Sequence, residues 1–515
     1  MDLDLNNLPD FARIADLVRQ HARTAPGCTA LQAGEERLSY GELGRRMDRV
    51  AAALQRDGLG LGDAIAICAT GSVAYATVFL GALQAGVVVA PLAPGSTPAA
   101  LARMVADAQA KRLFLDAGNA ADFAACAVPR IALDGEAGAV QGVAFEAWLA
   151  PEGSMPAPVA PPPEAPFNII YSSGTTGDPK GIVQPHLMRW GHVRRGAAYG
   201  YGPDTVTVLA TPLYSNTTLV VFFPTLAFGG TVVLMPKFDA LGYLRLAERV
   251  RMTHTMLVPV QYQRLMARPE FDTVDLSSTR MKFSTSAPFG AALKADVLAR
   301  WPGGLTEFYG MTEGGGSCIL EAHLHPDKLH TVGRPAVGSD VRLIDEAGRE
   351  VAPGEAGEVV GHSLSMMSGY HGQPGKTREA EWYSPEGRRY IRTGDIGRFD
   401  ADGFLTLFDR KKDMIISGGF NIYPSDLEAQ LREHPAVHEA AVVGVPSEQW
   451  GETPVAYVVP KPGASADADA LLAWLNGRVG KTQRLAALRL IDELPRSAIG
   501  KVLKRELRER HAAGR

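Results

Sequence analysis

Cysteine is scarce in this chain of 515 residues: Cys28, Cys68, Cys126 and Cys318 stand far apart, with no CxxC pair and no metal-ligand spacing. That pattern excludes a disulfide framework and reads as small buried hydrophobes in a reducing compartment. Excess charge is missing as well. The net charge of −4 leaves no sequence-wide basic field for nucleic acid or an anionic membrane. The longest apolar run, Leu219 to Met235, is interrupted by Pro224, Gly229 and Gly230. It predicts a buried helix or strand broken by a turn, not a membrane span. The opening MDLDLNNLPDF is acidic and lacks the basic-then-apolar order of a secretory signal. No repeat period is present, which excludes a solenoid or propeller. The expectation is a cytoplasmic chain without stable membrane insertion or a nucleic-acid partner.

What is present is an ordinary globular balance, 46% apolar and 21% charged, in a chain too long for one hydrophobic core. Amphipathic stretches such as Tyr40–Arg56, after Ser39, alternate with short apolar runs such as Ala64–Ala69 and Val87–Pro91. This alternation predicts an α/β fold of parallel strands and crossover helices. Residues 151–166 are too proline-rich for regular structure and read as a connector between lobes of one large domain. A second break follows residue 409. Beyond it, Leu427–His434 and Ala468–Val479 read as helices, and Glu439–Val445 and Pro454–Val459 as strands. The expected organisation is a large multi-lobed α/β domain over 1–409 and a small α+β domain over 410–515, hung on the polar turn Asp409–Asp413.

The sharpest chemical signal is YSSGTTGDPKG, residues 171–181, after the strand-like run Phe167–Tyr171. Gly174 and Gly177 let backbone N–H groups approach a phosphate, Ser172, Ser173, Thr175 and Thr176 offer hydroxyls, and Lys180 adds a positive charge. The spacing is not that of a Walker A loop. A turn that merely joined two elements would need neither four hydroxyls nor a lysine.

With this string and the blocks that follow it in order, the chain resembles the adenylate-forming superfamily, in particular 4-coumarate–CoA-like and fatty-acyl-CoA ligases. The further blocks are ATPLYS (210–215), STSAPF (284–289), EFYGMTE (307–313), GEVV through GYHG (357–372), YIRTGD (390–395), DRKKDMIISGGFNIYP (409–424) and LPRSAIGK (494–501). The resemblance implies a large N-terminal domain facing a small mobile C-terminal one. It implies ATP, Mg²⁺ and coenzyme A as reactants and cofactors, and a carboxylic acid activated as its adenylate. Within EFYGMTE it assigns Glu307, Phe308, Tyr309 and Thr312 to the nucleotide, with Tyr309 stacking on adenine and Thr312 donating to the α-phosphate. Glu313, a hard oxygen ligand, is assigned with Thr176 to Mg²⁺. Ser286 and Ala287 match the adenine-contacting backbone, Asp395 and Arg410 the ribose contacts, and Lys237 a contact to the CoA nucleotide. Lys501 matches the catalytic lysine, whose ammonium meets charge building on the α-phosphate. Lys412 matches the hinge, and Gly418 and Gly419 the wall of the pantetheine tunnel.

Departures from the family pattern concern the acid. Ser215, after Tyr214, stands where histidine is frequent. Gly316 and Ser317 replace bulkier residues, and Thr285 stands where glycine is common. With Gly310 these positions form the expected acid site. They predict an acid larger than acetate or propionate and apolar in its body. Malonate is not expected, because no arginine stands among them to pair a second carboxylate. Two other readings stay open at this stage: loading of a carrier-protein phosphopantetheine in place of CoA, and a non-catalytic acyl-binding relative. The shared adenylation motifs do not separate a luciferase-like oxygenase, and the sequence leaves a homodimer open.

Overall fold

The computed structural model describes residues 8–172, 180–411, 413–417, 420–448, 450–480, 483–497 and 500–514. Backbone contacts divide the chain into two compact units. The first comprises residues 1–329, 335–340 and 361–391, and the second 330–334, 341–360 and 392–515.

The first unit holds two largely parallel sheets. In one, Gly304–Tyr309, Met281–Ser284, His254–Leu257, Val206–Leu209, Thr231–Leu234 and Thr29–Ala33 run parallel in that spatial order. Antiparallel strands Cys318–Glu321 and Glu36–Ser39 flank them. In the other, Pro166–Ser172, Val88–Pro91, Ala64–Cys68, Ala110–Leu115 and Arg130–Ala132 run parallel, with Lys180–Pro185 antiparallel at one side. One apolar core draws on both sheets and on the helices Tyr40–Arg56, Val73–Gln84 and Asn216–Ala227. Every residue of Val73–Gln84 except Ala74 is buried, which is why that helix has no polar face.

Local chemistry explains several element boundaries. Ser39 opens helix Tyr40–Arg56 with a capping box: its hydroxyl accepts from the Glu42 N–H, and the Glu42 carboxylate accepts from the Ser39 N–H. The apolar run from Leu219 resolves into helix Asn216–Ala227, a turn at Gly229 (φ +84°) and strand Thr231–Leu234. Among the described residues no helix is long and apolar enough to cross a membrane. Residues 151–165 carry no helix or strand, and Pro166 already begins one.

In the second unit, Val437–Ser447 and Gly451–Pro460 form a long hairpin, with Ala487–Leu490 parallel to its second strand. Helices Pro424–Arg432 and Ala468–Asn476 pack on one core, and Leu507 of helix Lys504–Ala512 on another. The first of these helices starts three residues earlier than its hydrophobic pattern, because Pro424 suits the first helical position.

Candidate functional site

Strands Pro166–Ser172 and Lys180–Pro185 pair with Ser172 opposite Lys180, so the ends of the 173–179 segment lie side by side. Ser173, Gly174, Thr175, Thr176 and Gly177 lie outside the described residues, as do Lys412, Gly418 and Gly419, and of Ser172 only the backbone is described. Lys180 is described. Its ammonium lies 5.0 Å from the centre of the Tyr370 ring. The Tyr370 hydroxyl donates to Glu313 Oε1 at 2.9 Å, and the Met367 N–H donates to the Glu313 carbonyl at 2.8 Å. Burial and the adjacent carboxylate push the Tyr370 hydroxyl well above its ordinary pKa, so it stays a donor. The structure thus links the lysine of the glycine-rich string to the candidate metal carboxylate through a tyrosine not singled out from sequence. Its signal was its place inside the GYHG block.

Strand Gly304–Tyr309 sends alternate side chains to opposite faces. Glu307 is buried against Lys294 at 2.5 Å. Burial raises the Glu307 pKa, and the ammonium opposes that rise. This carboxylate is therefore committed to helix Ala291–Arg300. Phe308 stacks on Phe283 at 5.5 Å, meets the Tyr199 ring at 5.8 Å, and lies under the Arg195 guanidinium at 5.9 Å. Tyr309 is half-buried and Gly310 exposed, so the strand ends at accessible surface. A side chain at Gly310 would touch only Ser317 Oγ closely, at 3.2 Å. At Gly314 (φ +73°) a Cβ would come to 2.1 Å of the Ser365 carbonyl oxygen, and at Gly315 to 2.7 Å of the Gly361 carbonyl oxygen. These two glycines admit neighbouring backbone, and no open space lies beside them. Gly316 is buried and Ser317 half-buried, its N–H donating to Ser339 Oγ at 3.3 Å.

Ser286 adopts φ +79°, unusual for a residue with a side chain, and its hydroxyl bonds Thr217 Oγ1 at 2.6 Å. Thr217 belongs to the first turn of helix Asn216–Ala227, which Ser215 caps by accepting from the Thr217 N–H. Candidate residues Ser215 and Ser286 are therefore brought together through Thr217, with half-buried Tyr214, Thr285 and Ala287 adjacent in sequence. Lys237 is exposed in the link after strand Thr231–Leu234. In the second unit, Asp395 and Arg410 are register partners and ion-pair at 2.9 Å. Lys501 closes a turn with Ser497: the Ser497 N–H donates to the Lys501 carbonyl at 2.8 Å, and the Lys501 N–H to Ser497 Oγ at 3.2 Å.

Two arginines escaped the sequence reading. Arg189 is completely buried on helix His186–Gly196. It donates to Asn168 Oδ1 at 2.9 Å, to Asn216 Oδ1 at 2.8 Å and to Gln184 Oε1. Gln184 in turn donates to the Thr312 carbonyl at 2.6 Å. Both strands flanking 173–179, the capped helix start and the Thr312 segment thus share one polar network. The second is Arg195, against Phe308. It comes from a helix about 100 residues earlier in the chain and meets Phe308, which is not among the acid positions named from sequence. Isolated arginines outside any motif read as solvated charge, and no sequence signal marked either.

The family model for AMP-binding enzymes matches residues 18–371, and that for the AMP-binding enzyme C-terminal domain matches residues 426–501. A feruloyl-CoA synthase of Amycolatopsis sp is 35% identical over 505 residues, 95% of this chain and 97% of that protein. An indoleacetate–CoA ligase of Aromatoleum aromaticum is 33% identical, over 96% of this chain and 98% of that one. Among solved structures, ATP-bound MatB from Rhodopseudomonas palustris superposes with a TM-score of 0.85 at 30% identity, covering 96% of this chain and 99% of that chain. The amide bond synthetase McbA from Marinactinospora thermotolerans gives 0.85 at 29% identity, covering 96% and 98%.

Proposed function

The chain belongs to the AMP-binding enzyme family and is an AMP-forming acid–thiol ligase, and on that premise we propose that its acid is an aromatic one, seated against Phe308 and Tyr199. The reaction has two steps. A carboxylate oxygen attacks the α-phosphorus of ATP, the bond to pyrophosphate breaks, and an acyl-adenylate forms. The CoA thiol, giving up its proton, then attacks the acyl carbon, and AMP leaves with the electrons of the C–O bond.

The observation that carries the choice of acid is the cluster around Phe308, where a stacked and an edge-on ring meet beside the accessible strand end at Gly310. A flat apolar body gains both burial and ring contact there. Two of the relatives above are named for arylalkanoic or arylalkenoic acids, which agrees with this reading.

Within the reaction we assign Lys180 to the phosphates, Tyr309 to adenine, Asp395 and Arg410 to ribose, and Lys501 to the charge that builds during adenylation. Glu313 is suited to hold Mg²⁺. One carboxylate plus substrate phosphates is usual for that ion, and no cluster of three His, Cys, Asp or Glu residues exists among the described residues to hold it otherwise. Tyr370 occupies one lone pair of Glu313 and fixes its orientation. When bound, the ion neutralises phosphate charge. Lys412 is assigned as the pivot of a C-terminal domain over 410–515, and the scattered free cysteines fit the cytoplasm.

The test is pyrophosphate release from ATP across short, long, aromatic and alicyclic acids, with thioester detected after CoA is added. Aromatic acids should give the highest kcat/KM. A maximum at acetate or propionate would overturn the reading.

A further inference from the structure

Helix His186–Gly196 carries Arg189, His192 and Arg195 three residues apart, so they share one face. Arg189 is satisfied by three side-chain amide oxygens. Arg195 is different. Among the described residues no carboxylate lies within ion-pair distance of it, and no oxygen accepts its N–H groups; its guanidinium carbon lies 5.9 Å over the Phe308 ring. The residue as a whole keeps some exposure to solvent. Burial lowers its pKa, which places it in a poorly solvated setting. Burial and the two guanidiniums also hold His192 far below the usual imidazole range, so it is neutral, and its Nδ1 is buried with no hydrogen-bond partner. A guanidinium has five N–H donors and no acceptor capacity. Holding it away from bulk water without an acceptor is costly, and a ligand oxygen would remove that cost.

We propose that Arg195 is a specificity-determining residue that donates hydrogen bonds to an oxygen at the far end of the acid, remote from the carboxylate that is activated. The inference rests on the acyl-ligase reading and on an acid seated against Phe308. The recognised chemistry is an acceptor oxygen, either a phenolic ring oxygen or a second carboxylate.

The experiment compares two matched pairs, 4-hydroxycinnamate against cinnamate and adipate against hexanoate. Pyrophosphate release by the full chain is measured for the wild type, Arg195→Met and Arg195→Lys. In the wild type the oxygen-bearing acid of at least one pair should be favoured in kcat/KM by on the order of 10- to 100-fold, the scale of a hydrogen bond to a charged group. The pair that shows it identifies the source of the oxygen. In Arg195→Met the ratio should collapse towards one, and Arg195→Lys, which keeps a donor cation, should recover part of it. Equal use of both members of both pairs by the wild type overturns the proposal, as does an unchanged ratio in Arg195→Met. If Arg195→Met does not fold, the same ratio is read in Arg195→Lys and Arg195→Gln, where Gln must lose more than Lys. Absence of acid-dependent pyrophosphate release with any acid would instead overturn the ligase reading itself.

Discussion

Tyr370 stands between a lysine and a carboxylate that are far apart in sequence, and its hydroxyl and ring serve one each. Such a residue is hard to find from sequence, because its value lies in geometry and not in a reactive group of its own. Glu313 and Lys180 are proposed as site residues because their motifs combine charges with glycines and hydroxyls that no ordinary turn needs. Lys501 is proposed in the same way, from its spacing after Pro495 and Arg496. If its ammonium meets charge on the α-phosphate, Lys501→Ala should slow adenylate formation by on the order of 100-fold or more. Thioester formation from a synthetic acyl-adenylate should survive. Single-turnover rates of the two half-reactions check this, and an equal loss in both contradicts the assignment. Glu307 sits in the EFYGMTE motif, and its side chain is held by Lys294. Burial sets the two carboxylates apart, since Glu307 is enclosed and Glu313 only half-buried.

At the scale of elements, caps and proline positions explain where helices begin: the Ser39 cap was read from sequence, whereas the start at Pro424 was expected three residues later. Ser39 and Glu42 are three residues apart, so the start of Tyr40–Arg56 needs no tertiary knowledge. The Arg189 network is the contrary case, since its partners Asn168, Gln184 and Asn216 come from three other segments. Removing the guanidinium leaves Asn168 Oδ1 without a donor, and Asn216 Oδ1 with only a 3.4 Å contact from Gln184. Each stranded acceptor costs about 1–3 kcal/mol, partly offset because the buried cation itself is expensive. Arg189→Met should therefore lower unfolding stability by about 2–4 kcal/mol. Arg189→Lys, which keeps a donor cation at the same place, should lose less. Denaturant titration measures both, and a stable single variant would show that the network contributes little.

For the molecule as a whole, the α/β class was legible from alternating patterns, whereas the spatial order of strands was not, because long-range pairing leaves no local mark. Buried histidines give a stability prediction at this scale. Burial lowers His186 and His254 to about 4 in the folded chain, against about 6.5 when unfolded. Between those values the unfolded chain binds protons that the folded one does not. The stability these neutral imidazoles contribute is thus complete above about pH 6.5 and is lost as pH falls towards 4. The Tm should fall as pH is lowered from about 7.5 to about 5, and a flat profile would contradict it. Strand order carries a further consequence, for synthesis. Thr29–Ala33 pairs with Thr231–Leu234, a partner about 200 residues later in the chain. A ribosome adding about 5–20 residues per second delivers that partner roughly 10–40 s after the first strand emerges. During that interval one side of Thr29–Ala33 has no ladder to join, and the nascent chain has to be shielded from other unpaired strands until translation has passed residue 234.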